Sequence, residues 1–180
     1  MKYEESLVLE LKEQINADFK KEIIAFANTD GGEILVGVAR NGSVIGVEDA
    51  EAEMEKIGNM IRDGIRPDLT TYTSIERIED GGKVLIRVSV SRGLKRPYHL
   101  TDKGLKPTGV FVRHGVSSVP ATDEAIRQML RESDGTAFDK ARSVNQELTF
   151  TYAEKTFQER QVAFDNAHKR TLGLIDVDGY

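Results

Sequence analysis

Several residue types that carry characteristic chemistry are absent or scarce in this sequence of 180 residues. There is no cysteine, which excludes a disulfide framework, a thiolate zinc site and a cysteine nucleophile. Aromatic residues make up only 7% of the chain, so few side chains can stack on bases. No apolar run approaches the roughly 18–20 residues of a membrane-spanning helix, and the first ten residues lack signal-peptide features. We therefore expect a cytoplasmic protein without a membrane partner.

Two further kinds of site lack their sequence signatures. The three histidines (His99, His114 and His168) are far apart and have no paired spacing for a metal. The pair Gly31-Gly32 follows a predicted helix, so the negative end of the helix dipole points at it. A phosphate-binding loop needs glycines before a helix N-terminus, with a lysine and a serine or threonine. We therefore expect no histidine metal centre and no ATP binding by this chain.

The net charge of −5 is unevenly divided along the sequence. Residues 83–120 carry eight basic side chains and one acidic one, a net charge of +7, whereas residues 1–82 carry −9. Because phosphate binding depends on local positive charge, this stretch predicts contact with a polyanion. A purely solubilising role is the alternative. The predicted contacts, which we call the basic rim, are Arg92, Lys95, Arg96, Lys103, Lys106 and Arg113, with His114 beside them.

Hydrophobic periodicity predicts an α+β fold, a mixed or antiparallel sheet with helices packed on it. A helix with Phe19, Ile23, Phe26 and Ala27 on one face ends at the glycine pair. Further helices are predicted over residues 49–64 and from an N-cap at Thr122. Strands are predicted over residues 7–12, 34–38, 43–47, 70–75, 83–90 and 110–115, with a two-residue turn at 41–42 and a hairpin turn at 80–82.

Residues 133–136 read as a boundary between two domains, 1–132 and 133–180. Residues 138–148 are expected to form a tether, and residues from 151 onward a helix. A new, winged-helix-like unit is expected to begin at residues 172–176 and to be cut off by the turn at 178–180. We therefore expect this chain to be the N-terminal piece of a longer protein.

Several motifs in order resemble the Schlafen-type AlbA-like domain, once grouped as a divergent AAA domain. They are Glu5-Ser6 with Glu10 and Lys12, KEIIAFANTDGG at 21–32, ILVGV at 34–38, and VRHGVSSVPAT at 112–122. Residues 134–148 and the following helix resemble the linker after this domain in bacterial RecG-like and transcriptional-regulator proteins. The resemblance implies a nucleic-acid-binding module of a bacterial regulator, acting on DNA rather than RNA. Its signature positions are Phe26, Asn28, Asp30, Gly31, Gly32 and Gly37.

In Schlafen proteins the same module carries an endoribonuclease site of three carboxylates. Two of these positions match Glu5 and Glu10, and the third falls at Ala39, followed by Arg40. Two carboxylates beside an arginine make a weak site for Mg²⁺ or Mn²⁺, and Glu10 has Lys12 as a nearby partner. We therefore predict non-catalytic binding without a cofactor. Two alternatives stay open: a metal-dependent ribonuclease using Glu5 and Glu10, and a homodimerisation or protein-interaction platform built on exposed strand edges.

Overall fold

A computed structural model describes residues 2–133, 151–162 and 164–171. The chain divides into two compact units, Met1–Ala137 and Phe138–Tyr180. The first unit contains a four-stranded sheet, two two-stranded sheets and three helices among its described residues. This architecture confirms the predicted α+β class. Among the described residues, no helix is both long enough and apolar enough to cross a membrane.

The four-stranded sheet is mixed, in the order β1-β2-β5-β4. Strand β1 (Leu9–Lys12) runs parallel to β2 (Gly32–Val36), and Glu10 lies opposite Ile34. Strand β2 is antiparallel to β5 (Lys83–Val90), which is antiparallel to β4 (Thr73–Asp80). The two residues between β4 and β5 are glycines with positive φ, as a tight hairpin requires. The predicted hairpin turn at 80–82 is therefore confirmed, with Asp80 as the last residue of β4.

Helix α1 (Phe19–Asn28) joins the two parallel strands and is the most buried element of the fold. The chain turns sharply after the helix, with Gly31 N donating to Phe26 O at 3.0 Å. Gly31 has φ +83°, and a Cβ there would lie 2.6 Å from Val90 O. A Cβ on Gly32 would overlap the Phe26 ring. Both positions therefore need glycine because the helix end packs directly against the sheet.

The predicted strand over residues 43–47 is wrong, as is the two-residue turn before it. Three residues separate Ala39 from Ser43, whose backbone O accepts from Ala39 N at 2.9 Å. Val38 and Val44 form a single β-bridge. After it, the N–H groups of Ile45 and Gly46 both donate to Gly37 O. Two donors on one carbonyl form a bulge, which stops the ladder from extending.

Helix α2 (Ala50–Gly64) begins at Asp49, whose side chain accepts from Ala52 N at 3.0 Å. A short strand β3 (Ile65–Arg66) follows it. The expected strand start at Thr70 is wrong, because residues Thr70–Tyr72 form a 3₁₀ turn before β4. Asp68 Oδ1 accepts from both the backbone N and the hydroxyl of Thr70, at 3.0 and 2.8 Å. This local cap favours the turn over an extended chain.

The rest of the first unit packs around the C-terminal end of α1. Strand β6 (His99–Leu100) pairs with β3, and β7 (Phe111–His114) pairs with β8 (Ser117–Pro120). Helix α3 (Asp123–Ser133) starts as predicted at Thr122, whose hydroxyl accepts from Ala125 N at 3.1 Å. Strands β3, β6 and β8 were not predicted. At two to four residues each, they are too short to carry a periodic signal.

One large apolar core fills the space between the sheet and helices α1 and α2. Its sheet side chains come from one face of β2 and β5, and include Ile34, Val36, Ile86 and Val88. A smaller cluster on the opposite face contains Leu11, Leu35, Val38 and Leu85.

In the second unit, α4 (Thr151–Glu159) and α5 (Asn166–Thr171) are described. The predicted tether (138–148) and the features from 172 onward lie outside the described residues, and the domain boundary stays a prediction.

Candidate nucleic-acid interface

The buried side chain of Asn28 ties the end of α1 to the segments that carry the basic loops. Its Nδ2 donates to Tyr98 O at 2.9 Å and to Phe111 O at 3.0 Å. Its Oδ1 accepts from Tyr98 N at 2.7 Å. Because one buried side chain satisfies three backbone groups, it fixes where β6 and β7 lie relative to α1. Asn28 is therefore a positioning residue for the loops between residues 91 and 109.

Four charged side chains form what we call the buried ion-pair cluster: Glu10, Lys12, Glu22 and Arg113. Glu10 accepts from Lys12 Nζ at 2.8 Å and from Arg113 Nη1 at 2.9 Å. Glu22 accepts from Lys12 at 3.2 Å and from Arg113 at 3.3 Å, and it also bonds to the Ser118 hydroxyl. The charges cancel, two against two. Such pairing is what allows charged groups to remain inside a fold.

The surroundings of the cluster favour its charged form. Burial alone would lower the pKa of the Lys12 ammonium, but its hydrogen bonds and attraction to Glu10 and Glu22 outweigh this and raise it. The Arg113 guanidinium lies over the Phe26 ring, 4.6 Å from its centroid, and also donates to Ser6 O at 2.9 Å. The cluster therefore joins β1, α1 and β7, which are far apart in sequence.

The prediction that Arg113 belongs to an exposed basic rim is wrong. Its side chain is only 1% exposed and is ion-paired with Glu10 and Glu22. The sequence contained a signal for this. Phe111 and Arg113 are two residues apart on one strand, so the inward position of Phe111 places Arg113 inward too. His114, the next residue, is exposed as the same alternation requires.

The candidate catalytic positions do not form a cluster of free carboxylates. Both oxygens of Glu10 are held by cations, and Glu5 makes no ion pair in the part of the chain that the structure describes. Ala39 lies in the turn after β2 and offers no side-chain oxygen. Asp30 pairs with Arg92. Among the described residues, no group of three or more His, Cys, Asp or Glu side chains is placed to hold a metal ion.

Two arginines of the basic rim already have carboxylate partners. Arg92 pairs with Asp30 at 2.7 Å, with both side chains about half exposed or more. Arg96 pairs with Glu132 at 2.7 Å and donates to Asn28 O at 3.2 Å, and its side chain is only 13% exposed. Arg96 therefore connects α3 to the end of α1. The charge that these two arginines offer to a ligand is reduced accordingly.

The lysines of the basic rim are the exposed cations. Lys103 pairs only loosely with the adjacent Asp102, at 3.5 Å. Lys95 and Lys106 are exposed and have no carboxylate partner among the described residues. All three lie on the two loops between β5 and β7 that Asn28 holds in place. They are the exposed basic side chains of the basic rim that lack a close carboxylate partner from another segment of the described chain.

A groove that sequence reasoning missed is lined in part by Lys95, and we call it the rim groove. Its volume is about 380 Å³. It brings together two prolines, two leucines and four polar side chains from distant parts of the sequence, so no local pattern could indicate it. Its lining residues are Pro67, Lys95, Arg96, Pro97, His99, Leu105, Leu130 and Ser133.

The sheet, the glycine turn and the Asn28 anchor define a small α+β domain with basic loops on one side. Residues 5–122 match the family described as "Schlafen, AlbA_2". The chain belongs to this family, which confirms the resemblance of its motifs. Membership in the family indicates a nucleic-acid-related function. No curated protein matches the chain.

Two solved structures are similar to parts of this chain. The N-terminal domain of a RecG-related protein from Nitrosomonas europaea is 25% identical, with a TM-score of 0.48, over 64% of this chain and 83% of that one. The DIP2311 protein from Corynebacterium diphtheriae is 18% identical, with a TM-score of 0.52, over 96% of this chain. This chain spans only 33% of the latter's length. At that identity the likeness shows the fold alone.

Proposed function

We propose that this chain is a nucleic-acid-binding module that contacts backbone phosphate through the exposed lysines of the basic rim. The observation that carries the proposal is that Lys95, Lys103 and Lys106 are exposed on two neighbouring loops of an otherwise acidic protein. Lysine is a flexible point charge suited to phosphate. Family membership supports nucleic acid as the polyanion.

The finer parts of the proposal concern the type of nucleic acid and the biological role. We take DNA in preference to RNA, and a role within a bacterial transcriptional regulator. These choices rest on the resemblance of residues 1–132 and of the following segment to such regulators. Phosphate contacts position a protein without reading sequence. Base-specific readout would therefore come from another part of a longer protein or from a second copy.

Charge reversal at two lysines tests the proposal. The variant Lys95→Glu with Lys106→Glu should weaken binding to a duplex and flatten its salt dependence, because two phosphate contacts are lost. The slope of log affinity against log salt should fall in magnitude by about 2, at roughly 0.9 per contact. Fluorescence anisotropy between about 50 and 200 mM salt measures it. The same sequence as duplex RNA tests the preference for DNA.

A matched control variant changes the net charge by the same amount at two positions outside the basic rim. Lys56 on α2 and Arg77 on β4 are both about half exposed, and each pairs only with a glutamate on its own element. The variant Lys56→Glu with Arg77→Glu should leave the salt slope close to that of the parent. Equal slopes for both double variants would show that net charge alone matters, and the rim assignment would fail. Arg96 is left unchanged because it supports α3 through Glu132.

A further inference from the structure

We infer that the rim groove accepts one unpaired nucleotide, with its base against the apolar side chains and its phosphate near Lys95. This inference rests on the proposed function, and it adds a structural class of ligand: single-stranded segments, overhangs or flipped-out bases. Phosphate contacts by exposed lysines do not distinguish paired from unpaired nucleic acid. The groove supplies that distinction.

The first argument is the chemical division of the groove lining. Pro67, Pro97, Leu105 and Leu130 give the lining apolar ring and branched carbons, and Lys95 gives it a cation. A nucleotide has the matching division, a flat and largely apolar base face joined to an anionic phosphate. Enzymes and binding proteins hold extruded bases between apolar or aromatic side chains in this way.

The second argument is the size of the groove. Its volume of about 380 Å³ lies near the lower end of the roughly 300–1,000 Å³ usual for small-molecule sites. A single nucleotide fits that scale, whereas a paired duplex is much wider than such a groove. Lys95 lines the groove, and Lys106 is adjacent in sequence to Leu105, which also lines it. One base enters, and the neighbouring phosphates remain outside.

The third argument concerns the polar groups in the groove wall. Nδ1 of His99 is buried and has no hydrogen-bond partner among the described residues. This nitrogen is closed to solvent, so a ligand in the groove would contact other atoms of the His99 side chain. Imidazole and guanidinium planes also stack on bases, and Arg96 is held in place by Glu132. The wall therefore offers two planar groups, and the ion pair with Glu132 orders one of them, Arg96.

The test compares three DNA ligands with the same duplex part, binding to the full chain. One is blunt, one has a three-nucleotide overhang, and one has an overhang of abasic units that keeps every phosphate and lacks the bases. We expect the normal overhang to bind at least about fivefold tighter than the abasic one, because only the normal overhang has a base that can be buried against the apolar side chains. Equal affinity for the two overhangs would overturn the inference.

Two substitutions that leave the net charge unchanged test whether the advantage of the normal overhang arises in the groove. Leu105 lines the groove and is 50% exposed, whereas Leu94 on the preceding loop is 75% exposed and does not line it. Leu105→Ser should remove most of the advantage of the normal overhang and leave blunt-duplex binding unchanged. Leu94→Ser should change neither. An advantage that survives Leu105→Ser would place the base elsewhere and overturn the inference.

The blunt duplex separates this inference from the proposed function. If all three ligands bind equally with a steep salt dependence, phosphate binding stands and the groove assignment fails. If none binds at low salt, the proposed function fails and the inference fails with it.

Discussion

The buried ion-pair cluster allows one prediction to be worked out from the structure. Replacing Arg113 by methionine keeps much of the side-chain volume but removes a charge whose side chain is 1% exposed. Glu10 and Glu22, at 9% and 12% side-chain exposure, would then share only Lys12. The cluster would change from neutral to a net charge of −1 inside the fold. This uncompensated charge is the source of the expected destabilisation.

The magnitude follows from measured effects of breaking buried pairs. Removing one partner of such a pair typically costs about 3–5 kcal/mol, because the other charge remains buried without compensation. Lys12 offsets part of this, so we expect a loss of about 3 kcal/mol. With a urea dependence of about 1–3 kcal/mol per M, the unfolding midpoint should fall by roughly 1–3 M. Urea denaturation followed by circular dichroism measures it.

Arg92→Met is the control for this experiment. The ion pair between Arg92 and Asp30 is shorter, at 2.7 Å, but the Arg92 side chain is 48% exposed. Exposed pairs contribute only about 0–1 kcal/mol, so little stability should be lost. A second check is the pair of changes Glu10→Gln and Arg113→Met together, which leaves Lys12 and Glu22 balanced. This double variant should be more stable than Arg113→Met alone. If Arg113→Met costs no more than Arg92→Met, the cluster does not stabilise the fold as argued.

Two further predictions concern the residues that hold the basic loops. Asn28→Ala should lower the free energy of unfolding by about 2–4 kcal/mol, because it leaves backbone groups of Tyr98 and Phe111 buried without partners. Urea denaturation measures this change. A loss below about 1 kcal/mol would contradict the anchoring role. Burial raises the pKa of the Tyr98 hydroxyl above the ordinary value, so its stabilising contribution holds below about pH 10 and is lost as pH rises further. An alkaline absorbance titration should show a late component that Tyr98→Phe removes, and an unchanged titration would refute it.

The sequence predicted those elements that have long, regular patterns. Helices α1 and α2, the glycine turn, the hairpin between β4 and β5, and the Thr122 cap all follow from local periodicity and turn chemistry. Over residues 43–47 the same reasoning failed, because the N–H groups of Ile45 and Gly46 both donate to the carbonyl of Gly37 and form a bulge. The sequence pattern of this segment does not show which carbonyl its N–H groups bond to.

The site was harder to predict because its contacts span large sequence distances. Glu10 and Arg113 are 103 residues apart, and nothing in either segment alone indicates that they pair. The rim groove likewise draws on residues 67, 95–99, 105 and 130–133. The motifs did identify Asn28 as a signature position. Its role as a three-bond anchor became clear only when the positions of Tyr98 and Phe111 were known.

The ion pairs of Arg92, Arg96 and Arg113 lower the expected salt dependence of phosphate binding. Six free cations would give a salt slope of about −5, and a loss of more than 10³-fold in affinity between roughly 50 and 200 mM salt. With Arg113 buried and Arg92 and Arg96 paired, three lysines remain, for which the slope is about −3 and the loss roughly 40-fold. Electrostatic attraction of that size holds nucleic acid only weakly at physiological salt. The proposed binding therefore needs an added contact that salt does not screen, and the rim groove beside Lys95 is where we propose that this contact forms.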